Sequence, residues 1–185
     1  MPASRLLALL LACGIAAAAI PGVSAAPTAR NYMGDARSIS LTAAQAKFTK
    51  LTGSVAAQKP PADKQIGYRT GWQASYLKGT TKAPVQAYSL VYVYALPKDA
   101  RRAYANSCGD CTGNLTTSGV SMKFQLTNDK ATPGVIAIAS CRNVYAALVV
   151  TGKIGTAALA RTAGSLAGGI YAKAMASGMT RCARA

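Results

Sequence analysis

The sequence predicts an α+β domain, with an antiparallel sheet of about five strands carrying helices on one face in the order α-β-β-α-β-β-β-α. Three observations predict it. Five runs, residues 68–77, 85–96, 121–126, 135–141 and 144–151, alternate apolar with polar residues or are dense in β-branched and aromatic ones. Segments with apolar residues at helical spacing bracket and divide those runs. The roughly 160 residues that follow an N-terminal leader suffice for one hydrophobic core.

In chain order, residues 26–37 are polar and read as a flexible lead-in to a single domain over 38–185. Thr42 can cap a helix running to about Ala57, with Ala44, Phe48, Leu51 and Val55 on one face, and Pro60-Pro61 ends that segment. The first strand alternates around Trp72 and Tyr76, and the Gly79-Thr80-Thr81 stretch turns the chain. Residues 85–96 form the clearest strand. Its odd positions (Val85, Ala87, Ser89, Val91, Val93) are small, whereas its even positions carry Tyr88, Leu90, Tyr92 and Tyr94. Pro97 suits the first position of a short helix over 98–106. The runs 135–141 and 144–151 flank Arg142-Asn143, a two-residue hairpin in which Arg is an unfavoured first residue. Residues 156–176 are helical, with Leu159, Ala163, Leu166, Ile170 and Ala174 on one face and Gly164 and Gly168 set for close docking onto a sheet.

The N-terminus reads as an export signal over residues 1–25. Arg5 begins it, residues 6–20 are apolar, and Val23-Ser24-Ala25 offers the small residues of a cleavage site. The alternative is a lipobox at Leu10-Leu11-Ala12-Cys13, but the residues past Cys13 stay apolar where a polar tether is expected. No later segment holds the ~20 apolar residues needed to span a bilayer. A secreted or periplasmic protein is expected. Outside the leader lie Cys108, Cys111, Cys141 and Cys182, an even number that suggests two disulfides in an oxidising compartment. Of the three connectivities, the preferred one joins Cys108 to Cys111 across a tight loop and Cys141 to Cys182 across a long one. No second close ligand pair accompanies Cys108 and Cys111, so no metal site is expected.

Composition narrows the function. The chain has no His and no Glu, and Asp35, Asp63, Asp99, Asp110 and Asp129 are its side-chain carboxylates. Proton transfer near neutral pH relies mostly on His or on a carboxylate of raised pKa, so an enzyme is not expected, and neither is a cofactor. Twenty-one Lys and Arg give a net charge of +16, spread without a basic run. Such a surface attracts anionic polymers by its summed field, but nothing here resembles a track for nucleic acid, which is not expected as a partner. If the small side of strand 85–96 receives the helices, its Tyr side is open. Trp72, Tyr76, Tyr88, Tyr92, Tyr94 and Tyr145 would then form a platform for stacking on sugar rings; the same residues could instead pack across strands. The function this predicts is a non-catalytic binding domain for an anionic or carbohydrate envelope component. A protein–protein module working through loop 106–118, such as a hydrolase inhibitor or an envelope assembly factor, is the alternative.

The run Cys141-Arg142-Asn143-Val144-Tyr145-Ala146-Ala147-Leu148-Val149-Val150, the Ala-rich helix ending near Ala172-Lys173 and the strand around Tyr88 and Tyr94 resemble the secreted and lipoprotein sensor-type domains of actinobacteria. These include the extracellular domain of a mycobacterial serine/threonine kinase. The resemblance implies a disulfide-supported α+β ligand-binding domain without catalysis. It transfers no site residue, and the sequence carries neither a kinase nor a transmembrane segment.

Overall fold

The structure, a computed structural model, describes residues 28–80, 83–107, 109, 111, 113–117, 120–127 and 132–182. The predicted leader, with Cys13 and the cleavage site, lies outside them. Seven strands form one antiparallel sheet, two more than predicted: β1 (Lys50–Ala56), β2 (Tyr68–Thr80), β3 (Ala83–Tyr94), β4 (Gly113–Thr117), β5 (Val120–Leu126), β6 (Gly134–Cys141) and β7 (Val144–Gly152). Their spatial order is β1-β2-β3-β7-β6-β5-β4. Two meanders therefore meet at the β3–β7 pair, and helix α3 (Pro97–Ala105) carries the chain from one to the other.

The first predicted helix is corrected. Thr42 does cap a helix, with a capping box closed by Gln45, but this α2 (Ala43–Ala46) spans four residues only. Lys47 turns left-handed (φ 58°) and the Phe48 N–H bonds back to the Ala43 carbonyl. The chain then enters β1, an edge strand exposed along its whole length, in which Gly53 and the β-branched Thr52 and Val55 favour extension over helix.

The helices are not confined to one face, which corrects the second expectation. Helix α4 (Thr156–Ala176), α1 (Ala36–Ile39) and α2 share one side of the sheet. There the small side of β3 (Val85, Ala87, Val91, Val93) joins Ala146, Leu148 and Val150 of β7 against Leu159, Ala163, Leu166 and Ile170 of α4. Helix α3 lies on the other side, with Ala100 and Ala103 packed against Tyr92, Tyr94, Ile138 and Tyr145. The crossover must pass over one face to reach the far edge, and α4 already fills the other.

Part of the segment read as a lead-in is core. Tyr32 and Ala36 are buried, and Tyr32 is held through Asn143. Arg142 and Asn143 do form the β6–β7 hairpin loop, with Arg142 in the left-handed region (φ 52°) that normally favours Gly. The buried Asn143 amide donates to the Tyr32 carbonyl (2.8 Å) and the Tyr94 carbonyl (2.7 Å), and its Oδ1 accepts from the Tyr32 N–H (2.7 Å). Beside it the Cys141–Cys182 disulfide, Cα–Cα 5.4 Å, ties the tail to the end of β6. The Thr180 N–H donates to the Arg30 carbonyl (3.1 Å), so both ends of the domain meet at this hairpin. The other predicted bridge, Cys108 to Cys111, lies outside the described residues because Cys108 does. Among the described residues no helix is long and apolar enough to cross a membrane.

Candidate functional site

Register decides what the face opposite α4 presents. Directly opposed residues in an antiparallel pair point to the same side. Gln73 of β2 faces Leu90 of β3, Ser75 faces Tyr88, and Leu77 faces Gln86; on β7, Val149 faces Tyr88. At the α3 end, Gly71 lies opposite Tyr92, and the absence of a side chain there is required: a Cβ would stand 2.6 Å from Tyr92 Cδ1. Tyr68 packs edge-on against Tyr92 (5.6 Å between centroids) and Tyr94 (6.4 Å), and Tyr92 stacks on Tyr145 at 6.1 Å.

These contacts divide the six predicted platform residues. Trp72 and Tyr76 lie on the α4 side, opposite Val91 and Ala87 of β3, and so cannot join the others. The Trp72 Nε1–H donates to Ser54 Oγ (2.7 Å), with the Arg37 guanidinium 5.1 Å from its ring centroid. Tyr76 is buried, donates to the Leu41 carbonyl (3.0 Å) and packs on Phe48. Tyr94 and Tyr145 are on the intended side but sealed under α3, where the Tyr145 hydroxyl bonds Ser107 Oγ (2.9 Å). Tyr92 is buried except for an edge, and its hydroxyl donates to the Gln58 carbonyl (3.1 Å). Of the six, Tyr88 on this face and Trp72 on the α4 side are half-open, and the Tyr88 hydroxyl donates to Gln73 Oε1 (2.6 Å). The predicted six-ring platform is therefore one accessible tyrosine ring beside a sealed cluster.

Around Tyr88 the surface is concave. One cavity of about 660 Å³ lies between the sheet and the Pro60-Pro61 segment, where the Gln65 amide donates to the Pro60 carbonyl (2.8 Å) and stiffens the wall. Gln58, Lys59, Gln65, Gln73, Tyr88 and Leu90 line it. A second, about 440 Å³, continues along the strands over Gln86, Ser75, Val149 and Thr151, and Tyr88 belongs to both. The trough has one charged lining residue, Lys59, so the net charge of the chain is not concentrated there. Amides, each able to donate and accept, set its chemistry. Sequence reading missed Gln58, Gln65, Gln73 and Gln86; the alternation of β2 and β3 places Gln73 and Gln86 on a common face only once the hairpin register is fixed.

Burial sets the titration of the cluster. Desolvation is the main cause that pushes the Tyr92 phenol up to about 12, with smaller contributions from Tyr68, Tyr88 and Tyr145. Tyr94 is raised further, again chiefly by burial, and Tyr88 is raised by burial alone. These hydroxyls are neutral hydrogen-bonding groups across the physiological range. The loop expected to serve a protein partner, 106–118, contains strand β4, and residues 108, 110, 112 and 118 lie outside the described ones. Among the described residues no three His, Cys, Asp or Glu side chains converge as a metal site.

No protein-family model matches the chain, and no curated protein does. Among solved structures it is similar to the extracellular domain of PknH from Mycobacterium tuberculosis, with a TM-score of 0.48 and 13% identity over 76% of this chain and 94% of that one. That domain is of the kind named by the resemblance read from the sequence.

Proposed function

We propose that the chain is a non-catalytic extracytoplasmic binding domain whose trough around Tyr88 takes a neutral carbohydrate chain. The amide-rich lining carries this reading. Gln58, Gln65, Gln73 and Gln86 can bond sugar hydroxyls as donors and acceptors, and the half-open Tyr88 ring with Leu90 offers an apolar surface for the C–H face of a pyranose. Length fits as well: two cavities sharing one aromatic suit a polymer better than a monosaccharide. The Cys141–Cys182 bridge and the predicted leader agree with a secreted or periplasmic setting.

Calorimetry of the purified protein against a panel of neutral and anionic envelope glycans tests this. Binding to a neutral glycan should survive high salt, because uncharged hydrogen bonds are not screened. Tyr88→Ala should weaken it roughly tenfold, the loss of one stacking contact and the Tyr88 hydrogen bond to Gln73. Binding only to anionic polymers, abolished by salt and indifferent to Tyr88→Ala, would refute the reading.

A further inference from the structure

A different cavity, of about 500 Å³, opens on the α4 side of the sheet, where α2, the end of the β2–β3 hairpin and the first turns of α4 meet. Ala46, Phe48, Val85 and Ala158 give it an apolar floor, and Ile154, 42% exposed, stands at its mouth. Its polar rim comes from three separate elements. Lys47 is the left-handed C-cap of α2, Lys78 lies near the end of β2, and Arg161 sits in the second turn of α4. All three are exposed, and no described residue lining the cleft is acidic. No described carboxylate lines the cleft to neutralise these three cations, so an anion seated among them is attracted by each. Thr162 and Ser165 add hydroxyls on the same wall.

We propose that this cleft binds a single-chain anionic amphiphile, its alkyl or acyl chain on the Phe48–Val85–Ala158 floor and its phosphate, sulfate or carboxylate head among Lys47, Lys78 and Arg161. The volume falls within the roughly 300–1,000 Å³ usual for small-ligand pockets. Both halves of the ligand are required. The floor gives no hold to a free inorganic anion, and the cationic rim gives no preference for an uncharged chain. The site is on the opposite side of the sheet from the trough and does not depend on carbohydrate binding there.

The test is calorimetric titration of the purified protein with three probes, inorganic phosphate and, below their micelle concentrations, dodecyl phosphate and the sugar-free dodecyl octaethylene glycol ether. Dodecyl phosphate should bind one-to-one, at least tenfold tighter than either of the others, and more weakly as salt is raised. The combined Lys47→Ala, Lys78→Ala, Arg161→Ala variant should lose at least tenfold in affinity with its melting temperature kept. Ala158→Phe, which fills the floor and leaves the charges, should block the chain as well. Tyr88→Ala, on the opposite side of the sheet, should leave the affinity for dodecyl phosphate as in the parent protein. Equal binding of inorganic phosphate would remove the apolar floor from the site, and equal binding of the uncharged dodecyl ether would remove the cations. Unaltered binding in both cleft variants, or binding lost in Tyr88→Ala instead, would place the amphiphile elsewhere and overturn the proposal.

Discussion

Asn143 is the side chain on which the N-terminal segment depends, and its removal gives the sharpest test of how the fold is closed. Asn143→Ala deletes two donated hydrogen bonds and one accepted one, and leaves the Tyr32 N–H, the Tyr32 carbonyl and the Tyr94 carbonyl without these partners in a buried setting. A net value near 1 kcal/mol per bond, rising where a buried group stays unpaired, puts the loss at about 3–5 kcal/mol. For a domain of this length each kcal/mol shifts the midpoint by about 2–4 °C, so thermal unfolding by circular dichroism should fall by roughly 10 °C. The loss should be local in origin. With Tyr32 released, limited proteolysis should cut near Arg30 in the variant under conditions that spare the parent protein. Asn143→Asp is the informative control. It keeps an acceptor for the Tyr32 N–H but loses both donations and buries a carboxylate, so it should be at least as unstable at pH 7 and recover partly in acid, where a protonated Asp regains one donor. A midpoint for Asn143→Ala within about 2 °C of the parent would mean that Tyr32 packing and the bonds at Arg30 and Ala36 hold the segment without Asn143, and the reasoning would fail.

Breaking the Cys141–Cys182 bridge by Cys182→Ser, across a sequence separation of 41, should remove about 4 kcal/mol on the chain-entropy model; a calorimetric loss below about 1 kcal/mol would contradict it. Gly71→Ala should displace the Tyr92 ring, lower stability by about 1–3 kcal/mol and alter the near-ultraviolet dichroism of the tyrosine cluster, whereas an unchanged spectrum would show that the strand yields instead. Alkaline stability should follow the buried phenols. Tyr92 ionises near 12 when folded and near 10 when unfolded, and Tyr94 and Tyr171 are also raised, so the folded state holds protons that the unfolded state has lost. Their contribution is complete below pH 10 and is lost as pH rises through 12, so tyrosinate absorbance from these rings should appear together with loss of the far-ultraviolet signal. Their ionisation near pH 10 in an intact fold would refute the burial.

The most legible elements are those whose pattern is long and whose punctuation is local. Helix α4 has the same limits in the sequence and in the structure, because an apolar face maintained over five turns tolerates no other register. The β6–β7 hairpin is legible for the same reason, with two apolar runs and two residues between them. Short pieces behave differently. Ala44, Phe48, Leu51 and Val55 satisfy a helical spacing, yet Leu51 and Val55 end up 37% and 52% exposed on an edge strand. Four apolar residues cannot distinguish a helix face from a helical turn followed by a strand, and Gly53 was the residue that argued for the latter. Strand β4 carries a single large apolar residue, Leu115, which packs against the core only because β5 offers it an edge.

The aromatic platform failed for a reason that one turn would have supplied. Pairing runs out to Thr80 opposite Ala83, so between Gly71 and Thr80 the partner numbers sum to 163 and every even residue of β2 faces an odd residue of β3. Trp72 and Tyr76 are thereby placed with Val91 and Ala87, away from Tyr88 and Tyr92, and no property of the individual side chains could have moved them back. The same parity brings Gln73 and Ser75 beside Leu90 and Tyr88. Burial then selects among the remaining aromatics: the crossover helix α3 must lie on the face that α4 leaves free, and it seals Tyr94 and Tyr145. An aromatic-rich strand at the centre of a sheet is thus a weak guide to a binding surface, since the crossover that covers it follows from topology. The amides beside the half-open Tyr88 are the stronger guide, because polar side chains gathered in a concave surface offer donors and acceptors that a ligand can satisfy.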